Sequence, residues 1–231
     1  NLDELYTPFV GQYITATDIT EMLTKKSRLI TKHFKVCFKN GDVQTGKNRL
    51  IFEVANRFVE NFLAQEKNLL QDQNNRLKII ATEETLAATI AIEGLDFPVK
   101  IHGQVDRVDE LNGVTRIIDY KTGMVADANL KVPNFTKIRD EKYHKAIQVL
   151  LYAYLYSKGK NHNFNSPLEA GIISFKNLKS SFLSTNFSAS RIKDHSITEE
   201  RLTEFIEEIK LMILEIYDIN IPFIEPADLK Y

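Results

Sequence analysis

The 231 residues are 43% apolar and balance 30 Lys+Arg against 31 Asp+Glu, for a formal net charge of -1. That composition can bury one sizeable core and excludes overall basicity as a means of holding a polyanion, so any nucleic-acid contact must come from local patches. A single cysteine, Cys37, excludes an internal disulfide framework and any multi-cysteine zinc or iron–sulfur site within the chain.

In chain order, Leu2, Leu5 and Tyr6 open with helical spacing, and Thr17-Asp18 is expected to cap a short helix through Leu23. The longest helical pattern covers 47–70, where Ile51, Val54, Ala55, Phe58, Phe62 and Leu63 form one stripe. Beyond the polar run 71–75 the period becomes strand-like, with predicted strands at 77–81, 86–92, 99–108 and 114–120. Asn112-Gly113 between the last two is a strong hairpin signal. A long polar loop over 122–142 follows, then a helix over 143–157 with Ile147, Leu150, Leu151 and Tyr154 facing the core and Gly159 ending it. Strands at 170–175 and 182–187 precede a last helix. Its expected capping box is Ser196 to Glu199, and its buried face is Leu202, Phe205, Ile209, Met212, Ile213 and Ile216. Helices thus bracket a sheet of about five strands, an α/β layer design. The division expected is a single domain, with a helical region at 1–76, an α/β core at 77–195 and a C-terminal helix and tail at 196–231.

The five histidines show no pair at ligand spacing, and Cys37 reads as a small buried apolar side chain. No apolar run has membrane-spanning length and the first residues lack the apolar core of a signal peptide, so a soluble cytoplasmic protein with no membrane partner is expected. The first residue is Asn1, so the chain is expected to be an excerpt.

The chemistry-bearing feature is the hairpin Gly103-Gln104-Val105-Asp106-Arg107-Val108-Asp109, a turn, then Ile117-Ile118-Asp119-Tyr120-Lys121-Thr122-Gly123. Residues two apart on a strand share a face, so Asp119 and Lys121 point together while Ile118 and Tyr120 enter the other layer. An antiparallel neighbour brings Asp106 beside Asp119. Two converging carboxylates repel unless a cation lies between them, and a hard divalent ion suits them, with the Tyr120 carbonyl as a further ligand. Such an ion acidifies a bound water and neutralises transition-state charge, which Lys121 can assist. An isolated Asp-x-Lys at a strand end is more often a surface ion pair, and Arg107 and Asp109 read as structural partners that lock the hairpin. Glu83 and Glu84 read as solvated carboxylates.

The order and spacing over 78–157, continuing to Gln148 and Tyr152 on one face of the next helix, closely resemble the PD-(D/E)XK nuclease superfamily, and within it the RecB/AddB-type branch at the C-terminal end of helicase–nucleases. The resemblance implies that Asp106 and Asp119 bind Mg²⁺ or Mn²⁺, that Lys121 is catalytic, and that Gln148 and Tyr152 form a Gln-x-x-x-Tyr motif near the site and DNA. It implies an exonuclease of DNA repair whose partners are DNA and helicase segments of the same or another polypeptide. DNA contact is expected from Lys131, Lys137, Arg139, Lys142 and Lys145, against a simple solvated charged loop. The branch's first helix carries a metal-binding His, which on this resemblance would precede Asn1 and leave this fragment impaired. The stretch from Pro222 resembles the approach to an iron–sulfur cysteine cluster, but no such cysteines occur here and no cluster is expected. The alternative is a catalytically silent nuclease fold kept for DNA binding or subunit scaffolding.

Overall fold

The computed structural model describes residues 2–38, 43–160 and 162–224. Its helices are α1 (Leu2–Tyr6), α2 (Ala16–Cys37), α3 (Gly46–Gln71), α4 (His144–Gly159) and α5 (Glu199–Tyr217). Its strands are β1 (Tyr13–Ile14), β2 (Leu77–Ile90), β3 (Val99–Leu111), β4 (Val114–Lys121), β5 (Leu168–Ser174) and β6 (Phe182–Ser184). They form one sheet in the order β1-β2-β3-β4-β5-β6, antiparallel throughout except for the parallel β4–β5 pair that α4 connects. The mixed α/β architecture is as expected, with one strand more: β1 is too short to leave a period-two signal.

Two cores lie on opposite faces. On one face Leu5, Tyr6, Ile19, Met22, Phe62 and Leu63 of α1–α3 pack on Leu77, Ile79, Ile118 and Ile173. On the other, α4 and α5 pack on Leu86, Val105, Val108, Ile117 and Ile172. The helical N-terminal region therefore covers one face of the same sheet.

Several local expectations change. Thr15, not Thr17, caps α2: it accepts from the Asp18 amide at 3.3 Å while its own amide donates to Asp18 Oδ2 at 2.8 Å, a reciprocal box of about 1 kcal/mol. The helix then runs to Cys37 rather than Leu23, because Ile30 and Phe34 extend the buried stripe of Ile19 and Met22. In α3 Val54 is exposed, and the burial is carried by Val59, Phe62, Leu63 and the charged Glu66. The expected pair of strands at 77–81 and 86–92 is one long strand with a register shift between Ile79 and Ala81. Ile147 and Leu151 of α4 are only half-buried, while Ala146, Val149 and Ala153 are fully enclosed. Gly159 is the last residue of α4, with Lys160 as its cap. Thr198 caps α5, accepting from the Arg201 amide at 3.2 Å, and Ile216 is exposed. Cys37 is exposed, at the very end of α2 where the helix has left the core. The tail beyond 224, including most of the stretch likened to a cluster approach, lies outside the described residues.

The predicted turn does form. Asn112 (φ 54°) and Gly113 (φ 85°) both occupy the left-handed region, as a two-residue type I′ hairpin demands. The Asn112 side chain also accepts from the Arg76 amide at 2.8 Å, fixing the hairpin to the start of β2.

Candidate active site

Strand β4 is a buried central strand, and its alternation places the chemistry. Ile117 enters the α4-side core and Ile118 the α3-side core. Asp119 and Lys121 consequently face α4, while the Tyr120 ring packs among Phe62 and Phe175 on the other side.

Asp119 is 3% exposed. Its Oδ1 accepts from Gln148 Nε2 at 3.1 Å, and its Oδ2 lies 2.7 Å from Lys121 Nζ. Lys121 Nζ donates to Gln148 Oε1 at 2.9 Å, and Gln148 Nε2 also reaches the Tyr152 hydroxyl at 2.9 Å. The amide of Gln148 thus closes a ring with the acid and the ammonium. The four-residue helical spacing that puts Gln148 and Tyr152 on one face delivers both to this ring.

Asp106 reaches the same strand through its backbone: its Oδ2 accepts the Tyr120 N–H at 2.6 Å. The regular alternation expected for β3 does not hold here. Val105 and Val108 both enter the α4-side core although they are three apart, while Arg107 turns to the opposite layer. The facing of the strand reverses at Asp106. The β2–β3 ladder leaves out one facing pair, Glu83 and Asp106, between Thr82↔Arg107 and Glu84↔Val105, with the register unchanged, and Glu83 has φ 49°. A left-handed non-glycine residue inside a strand is an outlier of the kind that gathers at functional sites. Glu83 is exposed, as expected of a solvated carboxylate, and its left-handed backbone leaves no mark in the sequence.

The electrostatics agree with a shared acidic centre. Burial raises the Asp119 carboxyl above its usual value, and Asp106 pushes the same way against the lowering effect of Lys121. Burial also raises Asp106, opposed by the Tyr120 amide and by Lys121. Glu83 is raised by burial and then by Asp106. Among the described residues no three His, Cys, Asp or Glu side chains are gathered closely enough to hold a metal ion. The acid pair nevertheless fits one: Asp119 Oδ2 is a buried oxygen without an aligned hydrogen-bond donor despite its ion pair, the kind of lone pair a hard cation satisfies.

Behind Tyr120 lies a buried ion network. Arg107 Nη2 contacts Glu66 Oε1 at 2.6 Å, Arg107 Nε contacts Asp109 Oδ2 at 2.7 Å, and Arg116 Nε contacts Asp109 Oδ1 at 2.7 Å. Arg107 Nη1 donates to the Tyr120 hydroxyl at 3.2 Å, and the Tyr6 hydroxyl donates to Glu66. The structural role expected for Arg107 and Asp109 is thus met within a larger set, of which Glu66 was not foreseen because a lone Glu in a helix reads as an exposed-face residue.

Of the loop cations expected near DNA, Arg139 pairs with Glu215 at 2.5 Å and Lys142 with Asp140 at 3.2 Å, and Lys145 Nζ lies 3.1 Å from His144 Nε2. Lys131 and Lys137 are exposed. Their loop is pinned by buried Leu130, Val132, Phe135, Ile138 and Tyr143.

Gly103 provides a direct check of this geometry. A Cβ there would lie 2.7 Å from Tyr152 Cε1, so Gly103→Ala must displace the ring that holds Gln148. The expected result is a roughly ten- to hundredfold fall in turnover alongside about 1–3 kcal/mol of lost stability, read by kinetics and urea unfolding. An unchanged turnover would remove Tyr152 from the site's support.

Comparison with known proteins adds the family. A search of curated proteins found no match. A solved structure described as "Crystal structure of SSO0001" matches at 16% identity and TM-score 0.27, covering 84% of this chain and 86% of that one. The sequence model of the PD-(D/E)XK nuclease superfamily matches residues 3–227, nearly the whole chain. With this match, the chain belongs to the PD-(D/E)XK nuclease superfamily, whose members are generally metal-dependent nucleases.

Proposed function

We propose that this chain is a Mg²⁺- or Mn²⁺-dependent deoxyribonuclease, the exonuclease domain of a RecB/AddB-like DNA-repair helicase–nuclease. The observation that carries the catalytic part is the closed ring of Asp119, Lys121 and Gln148, in which the buried Asp119 Oδ2 meets the Lys121 ammonium and no aligned hydrogen-bond donor. Asp106 and Asp119, with the Tyr120 carbonyl, would hold the cation. When bound, such an ion acidifies a water and neutralises charge on the phosphodiester.

The remaining work falls to the chain. Lys121 presents its ammonium to the attacking oxygen and to charge developing on the phosphoryl group. Gln148 fixes the Lys121 ammonium and the Asp119 carboxylate in one plane of contact, with Tyr152 holding the amide in turn. Asp3 also helps to raise the Glu83 carboxyl, which supports the view that α1 borders the acidic edge as the first helix of the branch would. Exposed Lys131 and Lys137 of the loop, with Lys145 in the first turn of α4, are the cations best placed to meet DNA; Arg139 and Lys142 already have carboxylate partners. The helicase association rests on the motif's likeness to that branch.

The test is cleavage of linear DNA with Mg²⁺ or Mn²⁺, with chelator as control. Lys121→Met is expected to lower turnover about 10²–10³-fold while calorimetric Mn²⁺ affinity stays close to that of the unaltered chain. Absence of both cleavage and Mn²⁺ binding in the unaltered chain would instead support a silent scaffold.

A further inference from the structure

We propose that the groove at the C-terminal end of β5 is a phosphate-binding track for the nucleic-acid strand on its way to the cleavage centre. The proposal rests on the nuclease reading and deepens it: the groove opens on the α3 face, and a strand held there rounds the end of the sheet to reach Asp119 and Lys121, which face α4. The groove has a volume of about 460 Å³ and is lined by Asn61 and Gln65 of α3 and by Phe175, Lys176, Asn177 and Lys179 of the segment leaving β5.

Its position is set by the parallel pairing of β4 and β5. Lys121 is in register with Ser174, and the next amide, Phe175 N, donates to the Lys121 carbonyl at 2.9 Å. Lys176 therefore stands two residues past the partner of the proposed catalytic lysine. Phe175 and Lys176 form the centre of a turn closed by the Asn177 amide, which donates to the Ser174 carbonyl at 2.9 Å, so the chain folds back at the end of the sheet.

The groove is preformed. Gln65 Nε2 donates to the Leu178 carbonyl at 2.7 Å, Asn177 Nδ2 to the Val125 carbonyl at 2.9 Å, and Ser174 Oγ to the Gly123 carbonyl at 2.7 Å. These bonds tie the segment after β5 both to α3 and to the loop that follows Lys121.

Its chemistry selects backbone over bases. Both lysines are exposed, and neither has a carboxylate within ion-pair reach among the described residues, whereas Arg139 and Lys142 do. Phe175, the aromatic member, has its faces occupied: it stacks on Tyr120 at 5.7 Å and on Phe58 at 5.8 Å. No free ring is offered for base stacking, so the contacts left are ammonium and amide groups, which suit phosphate oxygens and carry no sequence information.

The experiment measures binding of a single-stranded DNA 20-mer by fluorescence anisotropy across a salt series, with Ca²⁺ in place of Mg²⁺, for Lys176→Ala/Lys179→Ala. Expected are about tenfold weaker binding near 0.1 M salt and a log–log salt slope shallower by about 1.4, two phosphates at about 0.7 each for single strands. Lys176→Arg/Lys179→Arg should bind like the unaltered chain. A second arm removes Lys25 and Lys32 of the distant α2; an equal loss there would show a net-charge effect and overturn the track, as would an unchanged slope in the first arm. Turnover of bis(p-nitrophenyl) phosphate, too small to reach the groove, should be the same in all variants. Because the anisotropy readout needs no cleavage, failure of the nuclease reading and failure of the track give different results.

Discussion

Replacing Asp119 with asparagine is expected to abolish cleavage, by about 10³-fold or more, while leaving the metal-free fold as stable as before or more so. The two effects come from the same carboxylate. Burial, reinforced by Asp106, raises its pKa in the folded chain, so the folded chain holds that proton more tightly than the unfolded one. The resulting stabilisation is full below the unfolded carboxylate value of about 4 and is lost as pH rises through the raised folded value. At neutral pH the ionised side chain is therefore a burden that asparagine removes. Catalysis needs the opposite state, so activity should fall as pH drops through the same raised value, and Mn²⁺ should stabilise the unaltered chain far more than the variant. Thermal unfolding from pH 4 to 8, with chelator or Mn²⁺, reads all of this. A variant that unfolds earlier in chelator yet still cuts DNA would sink the assignment.

Arg107→Met should have the largest effect on stability, with a loss of about 3–5 kcal/mol. Arg107 is 1% exposed, and its removal leaves buried Glu66 with the Tyr6 hydroxyl but no cation and weakens the hold on buried Asp109. Burial pushes the Asp109 carboxyl up, but Arg116 and Arg107 more than reverse this and hold it below its usual value. Here the sign is the familiar one: the stability is present above the unfolded carboxylate value and disappears as pH falls through the lowered folded value. Acid unfolding of the unaltered chain should thus steepen below about pH 4, and Arg107→Met should blunt that slope. Turnover should drop as well, because the Tyr120 hydroxyl loses its donor one residue from Asp119. Urea melts at pH 7 and pH 4 with parallel kinetics check both halves, and a loss under 1 kcal/mol would mean the network is slack.

Much of this site can be read from residues alone because its parts obey simple periods. Asn112-Gly113 marks the hairpin since few other pairs tolerate two consecutive left-handed residues. Asp119 and Lys121 share a face because β4 is regular, and Gln148 and Tyr152 share one because α4 is. The parts that escape are those where a period breaks or an element outruns the core. The reversal of facing at Asp106 is invisible because Val105 and Val108 are both apolar and either would suit a regular strand. Glu66 looks like a solvent-facing acid until the sheet supplies its neighbours, and the left-handed backbone of exposed Glu83 follows no period at all. Val54, Ile216 and Cys37 look buried by composition and are exposed: the buried stripe of α3 runs through Phe52, Ala55, Val59 and Phe62, away from Val54, and the other two lie in the last turns of their helices.

The parallel seating of β4 beside β5 also bears on the order in which the molecule becomes competent. Asp106, Asp119 and Lys121 all lie before residue 122, yet β4 gains its second neighbour only with Leu168–Ser174, after α4 has crossed over. Contacts between segments so far apart in sequence are slow to form, since a long loop must close first. During synthesis the acids are thus made well before the frame that aims them, and a ribosome-bound chain stalled in that interval carries the blade without its handle.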